Sequence, residues 1–371
     1  MLIGVPKEIK THEYRVGLTP ESVAELIDDG NAVLVQTQAG MGIGADDDTY
    51  RRHGAEIVDT AEEIFARADM IIKVKEPQAG ERAMLRRGQI LYTYLHLAPD
   101  REQTEDLIAS GAVCIAYETV TSDDGGLPLL KPMSQVAGRL AIQVGAAALQ
   151  KNAGGRGVLL GGVPGVAPAR ILVIGGGDVG FNAAQMAVGM QADVTILERD
   201  SGVMERLSNY FGVRARVVRS TPALLDTLLQ TADMVVGAVL IPGAAAPKLI
   251  TRPMLKIMQP GAVLVDVAID QGGCFETSHP TTHENPTYDV DGIVHYCVAN
   301  MPGAVARTST YALNAATVTH AKRIARLGWR EALSRDPNLL NGLNVCEGRL
   351  TCEAVGQALS INVCDPRTCI A

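Results

Sequence analysis

Apolar positions over the first 130 residues keep two rhythms. Residues 22–29 and 61–68 carry apolar side chains at helical spacing, and each stretch is followed by a short apolar run, at 32–36 and 70–74. A third such run occupies 90–95. Helix and strand in alternation predict a parallel sheet covered by helices. Residues 135–149, rich in Ala, Ile, Val and Leu, read as helix. The glycine-rich stretch 154–168, GGRGVLLGGVPGVAP, reads as a surface hairpin or linker; it lacks the Lys-Ser/Thr ending that a P-loop phosphate cradle would need. The pattern then resets, with a strand at 171–174, a helix at 179–190 and a strand at 194–197. Further βα units run through 234–236 and 262–266, and 308–335 returns to helix. The predicted class is α/β, in two units with a helical return.

Composition narrows the options. A chain of 371 residues, 47% hydrophobic and 20% charged, has the length for two or three domains and too much apolar content for disorder. Thirty-three basic against 41 acidic residues give a net charge of −8, and aromatics are 4%. Neither a basic footprint nor stacking platforms for bases are expected, so nucleic acid is not an expected partner. The most apolar uncharged stretch, 234–247, spans fourteen residues and contains Pro242 and Gly243. A membrane span needs about 20. Residues 1–10 carry Lys7, Glu8 and Lys10, unlike a secretory signal. The seven cysteines include no C-x-x-C pair, although Cys346, Cys352, Cys364 and Cys369 crowd one region. They read as reduced thiols in a cytoplasmic protein, with no metal site.

One motif stands out. GGGDVG at 175–180 places Gly175, Gly177 and Gly180 in G-x-G-x-x-G, after a predicted strand and at the start of a predicted helix. Glu198 ends the next strand, 23 residues after Gly175, near the offset of about 20 at which an acid meets a ribose. Gly175 permits the tight turn, Gly177 the approach of a pyrophosphate, and Gly180 close helix–strand packing, with the helix amides facing the phosphates. A carboxylate at Glu198 repels a 2′-phosphate and favours NAD; the adjacent Arg199 could instead attract one.

Other candidates lie at predicted strand ends. Arg15, in EYRVGLTP, is either a solvated arginine or a bidentate clamp for a carboxylate. Lys73 and Lys75, in IIKVKEP, would share one strand face, with Lys75 near the ligand-binding edge or simply solvated. His96 follows the strand at 90–95, in the position of a general acid/base. Asp270 follows the strand at 262–266, with Asp266 as the nearer alternative; either could serve proton transfer or merely form a turn.

Several blocks in register then carry a likeness to a known family: GVPKEIK at 4–10, EYRVGLTP at 13–20, KVKEP at 73–77 and TYLHLA at 93–98. LPLLKPMSQVAGRLA at 127–141, VDVAIDQGGCFETSHPTTH at 265–283 and HYCVANMPGAVARTSTYAL at 295–313 continue it. The chain resembles the bacterial alanine dehydrogenases of the alanine dehydrogenase/pyridine nucleotide transhydrogenase family over essentially its full length. The resemblance implies a Rossmann-type dinucleotide domain (131–305) inserted into a discontinuous α/β substrate domain (1–130 and 306–371). It implies reversible, NAD-dependent conversion of L-alanine and water to pyruvate and ammonium, and assembly as a homohexamer. By the same resemblance Arg15 and Lys75 hold the substrate, and His96 and Asp270 transfer protons. Cofactor contacts carry over to Ser134, Asp178, Val179, Glu198, Ser220, Val239, Leu240, Val267, Ala268, Ile269, Asp270, Val298, Ala299, Asn300 and Met301. Two departures are visible: the family commonly has Asp and then a neutral residue at Glu198–Arg199, and a neutral residue at Asp178. The alternatives are a transhydrogenase-like subunit, and a nucleotide-binding protein without turnover.

Overall fold

The computed structural model describes residues 1–239 and 247–370. These form two compact units, residues 1–133 with 303–371 and residues 134–302. Among the described residues, fifteen strands, numbered along the chain, make two sheets.

In the first unit, β1 (Leu2–Val5), β2 (Ala32–Gln36), β3 (Glu56–Val58), β4 (Met70–Ile72), β5 (Ile90–Thr93) and β6 (Val113–Ala116) run parallel in the order 3-2-1-4-5-6. Two late strands, β14 (Leu343–Cys346) and β15 (Arg349–Leu350), add antiparallel outside β6. Strands β4, β5 and β6 are buried at every position, which is why they read as unbroken apolar runs. The helix Pro20–Asp28 starts where the sequence says it should: the Thr19 side chain accepts from Ser22 N, and Pro20 takes the first turn.

The second unit repeats this order. Strands β7 (Arg170–Ile174), β8 (Asp193–Glu198), β9 (Arg216–Arg219), β10 (Met234–Gly237), β11 (Val263–Asp266) and β13 (Ile293–Tyr296) are parallel in the order 9-8-7-10-11-13. β12 (Thr287–Val290) caps the edge antiparallel to β13. In both sheets the chain reverses direction beside its first strand, between β1 and β4 and between β7 and β10. A crevice opens beyond the carboxyl ends at such a switch point.

Three expected elements differ, and of these the run 90–95 is strand only to Thr93. The run 70–74 is strand only to Ile72, so Lys73 and Lys75 do not share a strand face. Residues 308–335 hold two helices, Ala306–Leu327 and Trp329–Ser334, separated by Gly328 at φ 77°, a conformation glycine adopts without strain. The stretch 154–168 does form a hairpin: Val163 and Val166 bridge across Pro164–Gly165, with Gly165 at φ 89°.

Candidate functional site

The switch point of the second sheet is built from glycine. Gly175 ends β7 at φ 99°, and a Cβ on it would meet the Ala238 carbonyl oxygen at 2.7 Å. A Cβ on Gly180 would lie 1.8 Å from the Gly175 carbonyl oxygen, so only glycine lets the helix Asp178–Gly189 pack this close. A Cβ on Gly177 would meet nothing within 4 Å. This is the room a pyrophosphate needs at a helix N-terminus. Asp178 and Val179 open that helix, with Asp178 exposed.

Glu198, at the end of β8, faces this loop. Its Oε2 accepts from Gly176 N at 2.6 Å, and its Oε1 accepts from Arg199 N at 2.5 Å and Asp200 N at 3.0 Å. The carboxylate therefore fastens the glycine loop as well as ending the strand. Arg206 Nη2 donates to the Gly176 carbonyl at 3.2 Å, and Arg199 is exposed. Sequence reasoning missed both the Gly176 contact and Arg206, whose distance along the chain gives no local signal.

The remaining predicted contacts of this unit follow the same sheet edge. Ser220 comes after β9, Val239 after β10, Val267–Asp270 after β11 and Val298–Met301 after β13. Val239 packs by the loop, its Cγ2 3.1 Å from where a Gly175 Cβ would sit. Ser134, half-buried, lies in the helix Lys131–Ala148. Leu240 lies outside the described residues. Between the two aspartates the structure makes a clear division. Asp266 is fully buried and gathers the loop after β11, accepting from Ala268 N (3.2 Å), Cys274 N (2.8 Å), Phe275 N (3.3 Å) and Ser278 Oγ (2.5 Å). Burial pushes its carboxyl above the ordinary range against those hydrogen bonds. Asp270 is exposed, in the short turn Ile269–Gln271 that Asp266 holds.

In the first unit the switch point is filled with charge. Glu8, after β1, and Glu81 flank Lys73, whose Nζ donates to Glu8 Oε2 at 3.0 Å and Glu81 Oε1 at 2.7 Å. Lys73 is completely buried. Burial opposes its charge, but the two carboxylates more than offset this and hold its pKa above the ordinary lysine value. Glu8 Oε1 also accepts from Val74 N at 2.6 Å, and Lys75 N lies 3.4 Å from it. The backbone that carries Lys75 is thus pinned by Glu8. Lys73 belongs to this support rather than to an exposed strand face.

Arg15 is likewise buried, not solvated. Its Nε and Nη2 donate to the two oxygens of Glu13 at 2.7 and 2.6 Å, and Nη1 reaches Met133 Sδ at 3.0 Å. Burial works against the guanidinium charge, and Glu13 more than restores it. Lys75 is nearly buried, its Nζ 3.9 Å from Glu76 Oε2. His96 follows β5 in the left-handed region at φ 50°, a conformation that costs a non-glycine residue about 1 kcal/mol or more. Glu118 compensates: its Oε1 accepts from His96 N at 2.7 Å and from Leu95 N at 3.1 Å. The imidazole stacks on the Tyr94 ring, 5.7 Å away and 9° from parallel. Sequence reasoning missed Glu8, Glu13, Glu81 and Glu118. Only Glu13, two residues before Arg15 and so on the same side of an extended chain, carried a readable signal.

A separate cleft of about 470 Å³ lies at the opposite edge of the second sheet, by the amino ends of β7 and β10. None of the sequence-predicted site residues line it. Among the described residues no cluster of metal-ligating side chains occurs, and no helix is long and apolar enough to cross a membrane.

Known proteins align with both units. Residues 4–137 match the model of the alanine dehydrogenase/PNT N-terminal domain, and residues 141–353 that of the C-terminal domain. An alanine dehydrogenase of Halomonas elongata is 56% identical, with 97% of each chain aligned, and one of Mycolicibacterium smegmatis is 50% identical over 98% of each. A solved L-alanine dehydrogenase superposes with a TM-score of 0.94 at 49% identity, covering 97% of this chain and 99% of that one. A transhydrogenase from Sinorhizobium meliloti shares the fold, with a TM-score of 0.81 at 24% identity, covering 95% of this chain and all of that one. Domain models covering both units and half-identical relatives spanning nearly every residue leave one conclusion: this chain belongs to the alanine dehydrogenase/PNT family.

Proposed function

We propose that the protein is an NAD-dependent alanine dehydrogenase, catalysing L-alanine + NAD⁺ + H₂O ⇌ pyruvate + NH₄⁺ + NADH + H⁺. The observation that carries this reading is that each unit's switch point suits one of the two reactants: a glycine loop with room for a pyrophosphate in the second unit and, in the first, the cations Arg15 and Lys75, each anchored by a buried carboxylate. The first unit is the substrate domain and the second the dinucleotide domain. Half-identical relatives named alanine dehydrogenase favour this over transhydrogenation, for which the likeness is one of fold.

In this mechanism Arg15 binds the substrate carboxylate and Lys75 the carbonyl oxygen of pyruvate, which fixes the Cα–H direction. When bound, NAD supplies the hydride acceptor, held at Gly175–Gly180, Ser134, Glu198, Ser220, Val239, Leu240, Val267–Asp270 and Val298–Met301. The imine left on the substrate is attacked by water. The His96 imidazole nitrogen takes a proton from that water, and Asp270 passes one to the departing amine nitrogen. Glu118 and Glu13 serve by fixing His96 and Arg15. The cytoplasm is the proposed compartment and a homohexamer the proposed assembly. The second unit's hairpin supports self-association: it exposes Leu159, Val163 and Val166 by 66, 54 and 63%, an apolar patch of the kind that contacts between copies cover.

The deciding experiment follows the absorbance of reduced nicotinamide on mixing protein, L-alanine and either NAD or NADP. Reduction with NAD is the expected result, with His96→Ala lowering kcat by about 10²–10⁴-fold. Faster reduction of NADP would overturn the cofactor assignment. No reduction of either, with pyruvate and ammonium inert in reverse, would overturn the reaction.

A further inference from the structure

Away from both switch points, three cysteines from three separate segments gather around one arginine. β14 and β15 pair with Cys346 opposite Arg349. Leu350 bridges to Val363, and its carbonyl accepts from Cys364 N at 2.9 Å. The short helix Arg367–Ile370 brings in Cys369, which is buried, and Arg349 Nη2 donates to Cys369 Sγ at 3.2 Å. Arg349 is the common neighbour: Cys346 pairs with it across β14 and β15, Cys364 lines one cleft with it, and Cys369 takes its hydrogen bond. Cys346 is sealed in the sheet, whereas Cys364 is half-buried and lines a cleft of about 290 Å³ together with Arg349, Leu350, Ile361 and Val363. One accessible thiol, one thiol behind it and a cation against the second sulfur are the parts that thiol–disulfide chemistry needs.

We propose that this cluster is a reversible oxidation site, at which a hydroperoxide admitted by the cleft oxidises Cys364 and Cys369 closes a disulfide with it. In the first step the Cys364 sulfur attacks the O–O bond. An S–O bond forms, the O–O bond breaks, and the alcohol or water that leaves carries the thiol proton. Sulfur is oxidised by two electrons and the peroxide reduced by two, giving a sulfenic acid. In the second step the Cys369 sulfur displaces hydroxide from that sulfur. The S–S bond forms as the S–O bond breaks, and the Cys369 proton leaves with the hydroxide as water. Burial holds the Cys346 and Cys364 thiols above the ordinary cysteine value, Cys346 up to about 12, so attack on the peroxide runs through the small thiolate fraction of Cys364, which grows as pH rises. The bond would tie the helix Arg367–Ile370 to the strand-like segment beside β15.

The sequence makes the test direct. Trypsin cleaves after Arg349 and Arg367, which places Cys364 in peptide 350–367 and Cys369 in peptide 368–371. The full chain is treated with hydrogen peroxide at pH 8, blocked with iodoacetamide and digested without reductant; the readout is the mass of the linked peptides and requires no enzyme activity. The expected product is 350–367 joined to 368–371, lost on adding dithiothreitol and absent from Cys364→Ser and Cys369→Ser. It should persist in Cys352→Ser and Cys346→Ser, and form at least threefold more slowly in Arg349→Lys, which keeps the cleavage site but loses the guanidinium. Absence of the linked peptide, a sulfinic acid on Cys364 in its place, or a linkage that survives Cys364→Ser would each overturn the proposal.

Discussion

The two sheets share a strand order yet treat their switch points in opposite ways. In the second unit β7 passes into its helix through Gly175–Gly177, and a Cβ on Gly177 would meet nothing within 4 Å. In the first unit β1 is followed by fourteen residues before the helix Pro20–Asp28, and that loop supplies Glu8, Glu13 and Arg15. The same topology therefore presents backbone amides in one place and an array of buried charges in the other. What each switch point can offer a ligand is set by the loop after the first strand, not by the sheet.

The contrast is broken most strongly at Lys73. Lys73→Met leaves Glu8 and Glu81 buried without their cation, and denaturant unfolding should show a loss of about 3–5 kcal/mol. A loss under about 1 kcal/mol would mean the charged switch point is not held by this lysine. At the glycine switch point, Gly180→Ala forces a Cβ to within 1.8 Å of a carbonyl oxygen. NAD affinity by calorimetry should fall by about 100-fold, equivalent to ~2.7 kcal/mol. Unchanged affinity would refute the close-packing role.

Two milder changes sharpen the comparison. Glu198→Gln keeps an acceptor for Gly176 N but removes the negative charge beside Arg199 and Arg206. The ratio of kcat/KM for NAD over NADP should fall by about tenfold, or ~1.4 kcal/mol; a constant ratio would show that the carboxylate serves only the loop. Glu76→Gln tests the other end. Burial alone would raise the Glu76 pKa, but Lys75 and Lys10 reverse this and hold it below the ordinary 4.5. Its ionised form therefore stabilises the fold above pH 4.5, and that contribution disappears as pH falls through the lowered value. In the variant, the loss of unfolding free energy between pH 5 and 3 should be shallower than in the parent.

These differences also explain what could be read in advance. The glycine loop is local: the turn, the close packing and the answering acid lie within 24 consecutive residues, and each leaves a residue-type signature. Seven of the twelve described parallel strands were legible for the same reason, as apolar runs; β1, β3, β6, β9 and β13 were not, and β3 and β9 carry charged residues at their ends. The charged switch point is not local. Lys73 meets Glu8 across 65 residues, and Leu95 and His96 meet Glu118 across 23 and 22. Nothing in IIKVKEP distinguishes a buried, doubly paired lysine from a solvated one, so the alternation there read as a strand face. The left-handed backbone of His96 was equally invisible, because histidine carries no mark of the conformation that a distant carboxylate imposes on it.

The discontinuity of the first unit governs the order in which this molecule can be made. Its sheet ends at β6 until β14 arrives to cover that edge, and 230 residues separate Ala116 from Cys346. At ribosomal speeds of about 5–20 residues per second, the edge of β6 waits roughly 12–46 s for its partner. The second unit, continuous in sequence, emerges whole during that interval. An unpaired strand edge invites pairing with other nascent chains. Synthesis therefore has its most aggregation-prone interval midway, and chaperone dependence should centre on the first unit.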